Sequence, residues 1–204
     1  MEDNHSRKEL AHAPPPPRSL ALAAAIAAVA LAALSQPAGA HGGPHDGKAP
    51  RAGQLPPDTR EQLREARRAT RAFRDVDAAR TAGYAPASEC ATDPKYGGMG
   101  IHYANEKLIA DGKLDITRPE ILVYQPTADG HLRLGALEYF QVDGAQDLAT
   151  ADDRPSLFGV PFDGPMLGHS PGMPIHDDLH VWLYKHNPAG IFAAWNPRVS
   201  CPDA

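Results

Sequence analysis

The residues best suited to chemistry lie on one predicted strand near the carboxyl end of the chain, in the segment 179–185 (LHVWLYK). Side chains alternate along a strand, so His180 and Trp182 share one face while the apolar residues between them share the other. His176 joins the His180 face if the strand begins early, because four residues are two full strand periods. The pattern predicts a polar face on a strand whose other face belongs to the core.

A second polar side chain falls within an apolar row on a neighbouring hairpin strand, 132–142 (LRLGALEYFQV). The side chains that alternate onto one face are Leu134, Ala136, Glu138 and Phe140. An ionised carboxylate in such a row is costly unless a cation, a metal or good hydrogen-bond donors accompany it. His102, in the glycine-rich segment 97–103, reaches the same place if that segment enters the sheet.

These side chains suggest the ligand set of a divalent metal ion. The candidate ligands are His102, Glu138, His176 and His180. Imidazole and carboxylate groups suit zinc, iron, manganese or copper. Trp182 and Tyr184 would form the walls of this site. No HExxH motif and no cupin-type HxH motif is present, so the spacing alone does not decide the question.

Two other interpretations of the same residues stay open. In one, Glu138 pairs with a histidine, or with Arg133 or Arg198, in a buried hydrogen-bonded network without a metal. In the other, the carboxylate and a histidine act as a general acid and base in a pocket. The G-x-S-x-G signature is missing, so no serine hydrolase is indicated.

The first forty residues predict export. Basic residues precede the uncharged apolar run 19–34, and the small-residue triplet A-G-A follows at 38–40. This is the pattern of a secretory signal peptide cleaved after residue 40, and it predicts a periplasmic or extracellular protein. An uncleaved amino-terminal anchor is the alternative. Cleavage would expose His41, whose amine and imidazole could chelate copper with His45, although a coincidental histidine in a mobile tail is the favoured interpretation.

The cysteines and the charge narrow the possible partners. In an exported chain, Cys90 and Cys201 predict one disulfide, since no CxxC spacing indicates a metal or redox site. The formal net charge is −5, and this mild acidity disfavours a nucleic-acid partner. Nothing after the signal segment approaches a transmembrane stretch, so the sequence predicts a soluble mature protein.

The elements that must position these residues form one predicted α+β domain at 58–204, preceded by a flexible tail at 41–57. Asp58 is the expected N-cap of an amphipathic helix that ends at Gly83 and carries an arginine-rich outer face. The helix packs on a small antiparallel sheet or partial barrel. Its expected strands cover residues 121–125, 132–142, 179–185 and 191–195.

Glycine and proline mark the connections. The density of both in 154–175 predicts a long loop without regular structure, of the kind that can act as a lid. The GGMG run at 97–100 predicts a tight connection with unusual backbone angles rather than an anion site. Residues 105–113 predict a short helix or turn.

Several segments resemble a family of uncharacterised exported bacterial proteins. The matching segments are AGY at 82–84, GGMGIHYAN at 97–105, RPEILVY at 118–124, LEYF at 137–140 and LHVWLYKHNPAGIFAAWNPRVSC at 179–201. The resemblance covers roughly residues 65–201 and implies one intact domain. It implies no activity, so the expected function rests on the residues themselves.

The sequence therefore predicts an exported soluble protein. It would bind a small ligand or a divalent metal ion, such as zinc, copper or iron, between its sheet and the proline-rich loop. A cupin-like metal-dependent enzyme is one alternative. A non-catalytic envelope protein that contacts a partner through the arginine-rich face or the long loop is the other.

Overall fold

The computed structural model describes residues 55–150, 153–170 and 172–201. The predicted signal peptide at 1–40, His41, His45 and nearly all of the predicted tail lie outside these residues. No helix in the described ranges is both long enough and apolar enough to cross a membrane.

The amino-terminal helical region is broken into three pieces, although the sequence predicts one helix. They are α1 (Pro57–Ala69), a 3₁₀ turn (Arg71–Arg74) and α2 (Val76–Thr81). The break has a local cause, because the Asp75 side chain accepts a 3.0 Å hydrogen bond from the Asp77 amide and starts a new helix there. The expected cap at Asp58 is also wrong: Pro56 occupies the N-cap position of α1, and Asp58 lies in the first turn.

The strands form an antiparallel sheet, as the sequence predicts. They are β1 (Ala85–Pro86), β2 (Ala91–Asp93), β3 (Gly97–Ala104), β4 (Ile121–Pro126), β5 (Leu132–Val142), β8 (Asp163–Met166) and β9 (His176–Val181). The strand order is β1-β3-β4-β5-β9-β8, with β2 paired to β3. A short helix α3 (Glu106–Asp111) connects β3 to β4, and a separate two-stranded ribbon joins β6 (Ser156–Leu157) to β7 (Val160–Pro161). The fold is therefore α+β.

Each face of the sheet has its own core. The larger core lies between the sheet and the helical region, and includes Leu63, Ala66, Tyr124, Tyr139 and Leu179. The smaller core lies on the opposite face, where the carboxyl-terminal segment packs on the sheet. Its buried members are Met99, Val123, Ala136, Trp182, Ala194, Trp195 and Val199. The middle strands therefore have both faces covered.

A bulge in β5 changes which side chains share a face. Val123 pairs with Ala136, but the next residue, Tyr124, pairs with Leu134, so Gly135 is the extra residue. Leu134 consequently belongs to the larger core, while Ala136 belongs to the smaller one. The predicted row from Leu134 to Phe140 is thus wrong at Leu134 and holds from Ala136 onwards.

The segments before and after β9 differ most from the sequence-based expectation. Three short strands, β6, β7 and β8, lie in the proline-rich segment expected to lack regular structure. The expected strand at 179–185 begins at His176 and ends at Val181. The expected strand at 191–195 forms turns, because the Ala193 amide donates to the Gly190 carbonyl and folds the chain back there. A single backbone hydrogen bond, from the Trp182 amide to the Ile191 carbonyl, joins this segment to the end of β9.

The glycine-rich run at 97–100 is strand β3, and its glycines permit two close backbone approaches. A Cβ on Gly97 would lie 2.4 Å from the carbonyl oxygen of Asn196, and one on Gly100 would lie 2.3 Å from that of Tyr124. Both glycines also have positive φ, as the predicted unusual backbone angles require. The segment is therefore a strand whose backbone lies in close contact with the backbone of Asn196 and Tyr124.

The predicted disulfide between Cys90 and Cys201 is present, with a Cα–Cα distance of 5.7 Å. It joins the turn before β2 to the end of the carboxyl-terminal segment. Two backbone hydrogen bonds between Gly98 and Asn196, of 3.1 and 2.9 Å, hold the same segment to β3. The disulfide and these hydrogen bonds together hold the carboxyl-terminal segment over the smaller core.

Removing the disulfide should destabilise the protein substantially. The cross-link spans 111 residues, and loss of a native disulfide that closes a long loop costs about 2–5 kcal/mol. Urea unfolding of Cys90→Ser and of the Cys90→Ser/Cys201→Ser double variant should give the same lower free energy of unfolding. Equal stability of the wild type and the double variant would contradict this role.

Gly100→Ala should destabilise the protein more than Gly112→Ala. A Cβ at Gly100 would clash with backbone, whereas Gly112 has positive φ but nothing within 4 Å of an added Cβ. We expect about 1–2 kcal/mol for Gly112→Ala, from its backbone conformation alone, and more than about 3 kcal/mol for Gly100→Ala. Urea unfolding of the two variants tests this order, and equal losses would refute the close-approach argument.

Candidate metal centre

Strand pairing brings Glu138 and His180 together. They are directly opposite each other in the β5–β9 register, so their side chains share one face of the sheet. His102 lies on β3 opposite Val123, which in turn lies opposite Ala136, the neighbour of Glu138 on that face. Strands β3, β5 and β9 therefore place two imidazoles and a carboxylate on one side of the sheet.

The three side chains converge on one carboxylate oxygen. Nε2 of His102 lies 3.3 Å from Oε2 of Glu138, and Nε2 of His180 lies 3.6 Å from the same oxygen. The two imidazole rings meet edge to face, with centroids 5.9 Å apart. One ligand atom from each residue lies within 4.8 Å of the other two, so the group could hold a metal ion.

The hydrogen bonds of Ser88 fix the tautomer of His102. The Ser88 hydroxyl lies 2.7 Å from the carbonyl oxygen of Glu89, which can only accept, so the single hydroxyl proton points there. The hydroxyl oxygen therefore accepts from the His102 amide at 3.0 Å and from His102 Nδ1 at 2.9 Å. With the proton on Nδ1, the lone pair of a neutral His102 is on Nε2 and faces Glu138.

Asp178 is placed to orient the other histidine. Its Oδ1 lies 3.6 Å from Nδ1 of His180, on the opposite side of the ring from Glu138. Both Asp178 and His180 are fully buried. A carboxylate behind a histidine is the usual way in which proteins hold a metal-binding imidazole in one orientation.

Burial makes the negative charge of Glu138 unfavourable. Desolvation raises the pKa of Glu138 to about 8, and the nearby carboxylates of Asp178 and Glu120 add to the shift. Burial alone would lower the pKa of His180, but the Glu138 and Asp178 carboxylates outweigh it and raise that pKa to about 9. Without a metal, the cluster therefore retains protons up to alkaline pH.

Three of the four predicted ligands come together, and His176 stands outside the group. It lies four residues along β9 from His180, which is about 13 Å at the usual strand rise. Its ring stacks on Phe140 with centroids 4.6 Å apart, and its Nε2 lies 4.0 Å from Oδ2 of Asp178. The alternation that placed His176 on the correct face could not place it at the same point along the strand.

The geometry also tests the other predicted ion-pair partners of Glu138 and the two residues predicted to line the site. The ion-pair partners of Glu138 among the described residues are the two histidines, whereas Arg133 and Arg198 are exposed. Trp182 packs in the smaller core next to the site face. Tyr184 does not line the metal site, because β9 ends at Val181, before Tyr184. The Tyr184 hydroxyl instead lies 2.9 Å from Oγ1 of Thr70, on the helical side of the sheet.

Two residues that support the site were missed in the sequence. Asp178 alternates with His176 and His180 in the run HDDLH, so starting the strand at His176 would have placed it on the same face. Ser88 carries no comparable signal, because it lies in an exposed turn and reaches His102 through the pairing of β1 with β3.

Comparison with known proteins gives no homologue. The chain matches no protein-family model, no curated protein and no solved structure. The resemblance to exported bacterial proteins therefore stays a prediction, and the argument for function rests on the geometry of the cluster.

The metal-free protein should lose stability as the pH rises from about 5 to about 9. The pKa of Glu138 is raised from 4.5 to about 8 and that of His180 from 6.5 to about 9, so the folded state binds more protons than the unfolded state across this range. Thermal unfolding after chelator treatment should show a midpoint that falls towards the alkaline end.

Glu138→Gln should flatten part of this profile, because the variant cannot release a proton at that position. Glu120, whose pKa burial raises to about 7, should keep a residual slope of the same sign. Glu106→Gln on the exposed side of α3 is the matched control and should leave the slope unchanged. A wild-type midpoint that rises towards pH 9 would contradict the electrostatic description.

Proposed function

We propose that this protein binds a divalent transition metal ion through His102, Glu138 and His180. The observation that carries the proposal is the orientation of His102. Its Nε2 lies 3.3 Å from a carboxylate oxygen, so a neutral imidazole with its proton on Nδ1 would place two electron-pair donors against each other. A cation between them, whether a proton or a metal, is needed to make that contact favourable.

The surrounding groups favour a metal over a proton alone. Ser88 holds the outer nitrogen of His102, and Asp178 lies behind His180, which is the arrangement that supports metal-binding imidazoles. Nε2 of His102 and Nε2 of His180 approach the same carboxylate oxygen, Oε2 of Glu138, at 3.3 and 3.6 Å. Two imidazoles that converge on one carboxylate oxygen, each held from behind, form a ligand set rather than a simple ion pair.

The donor set favours ions of intermediate softness. Two imidazole nitrogens and one carboxylate oxygen are the protein ligands of many zinc sites and of non-haem iron(II) sites, whereas calcium and magnesium prefer oxygen donors. Three protein ligands leave positions for water or a small molecule. We therefore propose zinc or iron(II) as the resident ion, with an exchangeable ligand on its open side.

The approach to the cluster is from the His102 side. The side chains of His180 and Glu138 are 0% and 5% exposed, whereas that of His102 is 14% exposed, next to the exposed Ser88. An ion would therefore enter over His102. A small ligand would approach the metal from the same side.

The broader context agrees with export. The Cys90–Cys201 disulfide fits an oxidising environment outside the cytoplasm. We retain the proposal that residues 1–40 are a signal peptide. The cupin-like alternative is disfavoured by the sheet, since its described strand order is an open path from β1 to β8 rather than a closed barrel. On the arginine-rich face, Arg64 and Arg68 pair with Glu61, and the partner-binding alternative keeps the rest of that face and the long loop as its candidate surfaces.

Metal binding should be stoichiometric and should depend on the cluster. Chelator-treated protein titrated with zinc, and anaerobically with iron(II), should take up one ion per chain, measured by elemental analysis after desalting. His102→Ala and Glu138→Gln should each lose most of the affinity, on the order of 100-fold, because each removes one of three ligands. Ser88→Ala should weaken binding about tenfold by freeing the orientation of His102.

His131→Ala is the matched control, because His131 is exposed in the β4–β5 turn. It should bind metal as the wild type does. Circular dichroism and thermal unfolding would show that each variant is folded before its affinity is compared. Wild-type protein that takes up neither ion, or cluster variants that retain full affinity, would overturn the proposal.

A further inference from the structure

A second group of potential metal ligands lies in the connection from β8 to β9, outside the cluster described above. It contains two methionines and two histidines: Met166, His169, Met173 and His176. In sequence they alternate as M-x2-H-x3-M-x2-H. Packing accounts for Met166 and His176, which are buried, but not for the exposed His169.

Strand pairing fixes the first contact of this group. Met166 lies directly opposite His176 in the β8–β9 register, so the two side chains project from the same face. Met166 is 4% exposed and His176 is fully buried. The His169 ring meets the His176 ring edge to face, with centroids 5.1 Å apart. One thioether and two imidazoles are thus gathered at the start of β9.

The loop itself adds the second thioether. The backbone amide of His169 donates to the sulfur of Met173 across 3.3 Å. The loop is closed tightly at this point, because a Cβ on Gly168 would lie 2.2 Å from the carbonyl oxygen of Met173. Gly168 therefore permits the fold that keeps Met173 beside His169.

The tautomer of His176 leaves one nitrogen able to bind a metal. Its Nδ1 lies 3.1 Å from the carbonyl oxygen of Pro174, which can only accept, so Nδ1 carries the proton. In the neutral ring the lone pair is then on Nε2. A histidine held by a backbone carbonyl at one nitrogen, which coordinates through the other, is typical of metal sites. Nε2 of His176 also lies 4.0 Å from Oδ2 of Asp178.

We propose that Met166, His169, Met173 and His176 form a second metal site, which takes copper(I). Thioether sulfur is a soft ligand and selects copper(I), while imidazole also binds copper well. The nitrogen and oxygen donors of the His102 cluster lack this preference. His169 is exposed, so the ion reaches the loop from solvent. The inference does not depend on the function proposed for the first cluster.

A competition experiment tests the site on the full chain. The protein is first loaded with zinc and then titrated anaerobically with copper(I) against bicinchoninate, with ascorbate as reductant so that the disulfide is kept. Wild-type protein should take one copper(I) from the chelator. The Met166→Leu/Met173→Leu double variant and His169→Ala should each bind it at least about tenfold more weakly, because each removes soft or imidazole ligands.

Matched controls separate ligation from packing. Met99→Leu changes a buried methionine of the smaller core, and His186→Ala changes an exposed histidine away from the loop. Both should bind copper(I) as the wild type does. X-ray absorption at the copper edge should show sulfur neighbours in wild-type protein and none in the double methionine variant.

The outcomes distinguish this inference from the function proposed above. Loss of copper(I) affinity in Glu138→Gln but not in the methionine variant would place copper at the His102 cluster and overturn the second site. No uptake of copper(I), or uptake without sulfur neighbours, would overturn it as well. Copper(I) binding that survives Glu138→Gln and is lost with the methionines would support it even if zinc binding failed.

Discussion

The carboxylate of Glu138, buried in the middle of the sheet, is the constraint on which the polar face depends. A bare carboxylate there would lose its hydration without compensation. Two imidazole nitrogens compensate for the lost hydration, because they approach the same carboxylate oxygen at 3.3 and 3.6 Å. Because the two histidines come from β3 and β9, the carboxylate can be satisfied only when the sheet is fully assembled.

The position of the cluster follows from the way in which the two cores divide the sheet. Beyond the bulge at Gly135, β5 turns Ala136 and Glu138 away from the helical region and towards the carboxyl-terminal side. The Gly135 carbonyl also accepts from the amides of Tyr184 and Lys185, at 3.1 Å each, and so holds the chain after β9. The carboxyl-terminal segment then covers Val123 and Ala136, and the disulfide fixes its end. The bulge and the disulfide thus set the boundary between the smaller core and the polar face.

Much of this arrangement could be predicted from local pattern. The choice of Glu138 and His180 as members of one polar cluster followed from alternation on two strands, and the disulfide followed from two cysteines in a chain with a predicted export signal. The break between α1 and α2 was not predictable, because it rests on one Asp75 cap that competes with an otherwise continuous apolar stripe. The pairing of Glu138 with His180 and the contact of Ser88 with His102 could not be predicted, because both depend on strand register, which nothing in a single sequence fixes. The exclusion of His176 could have been predicted, since four residues along one strand separate it from His180 by about 13 Å.

Asp178 connects the two proposed metal sites. One of its carboxylate oxygens lies 3.6 Å from Nδ1 of His180, and the other lies 4.0 Å from Nε2 of His176. Two cations bound on the same face would repel each other, and the interaction is strong where the protein excludes water. A single buried carboxylate between them offsets part of that repulsion for both. The same geometry makes the sites interdependent, since an ion that draws Asp178 towards His176 would loosen its hold on His180. Asp178 lies midway between His176 and His180 on β9, so the alternation of three polar residues along one strand determines both the separation of the sites and the charge that they share.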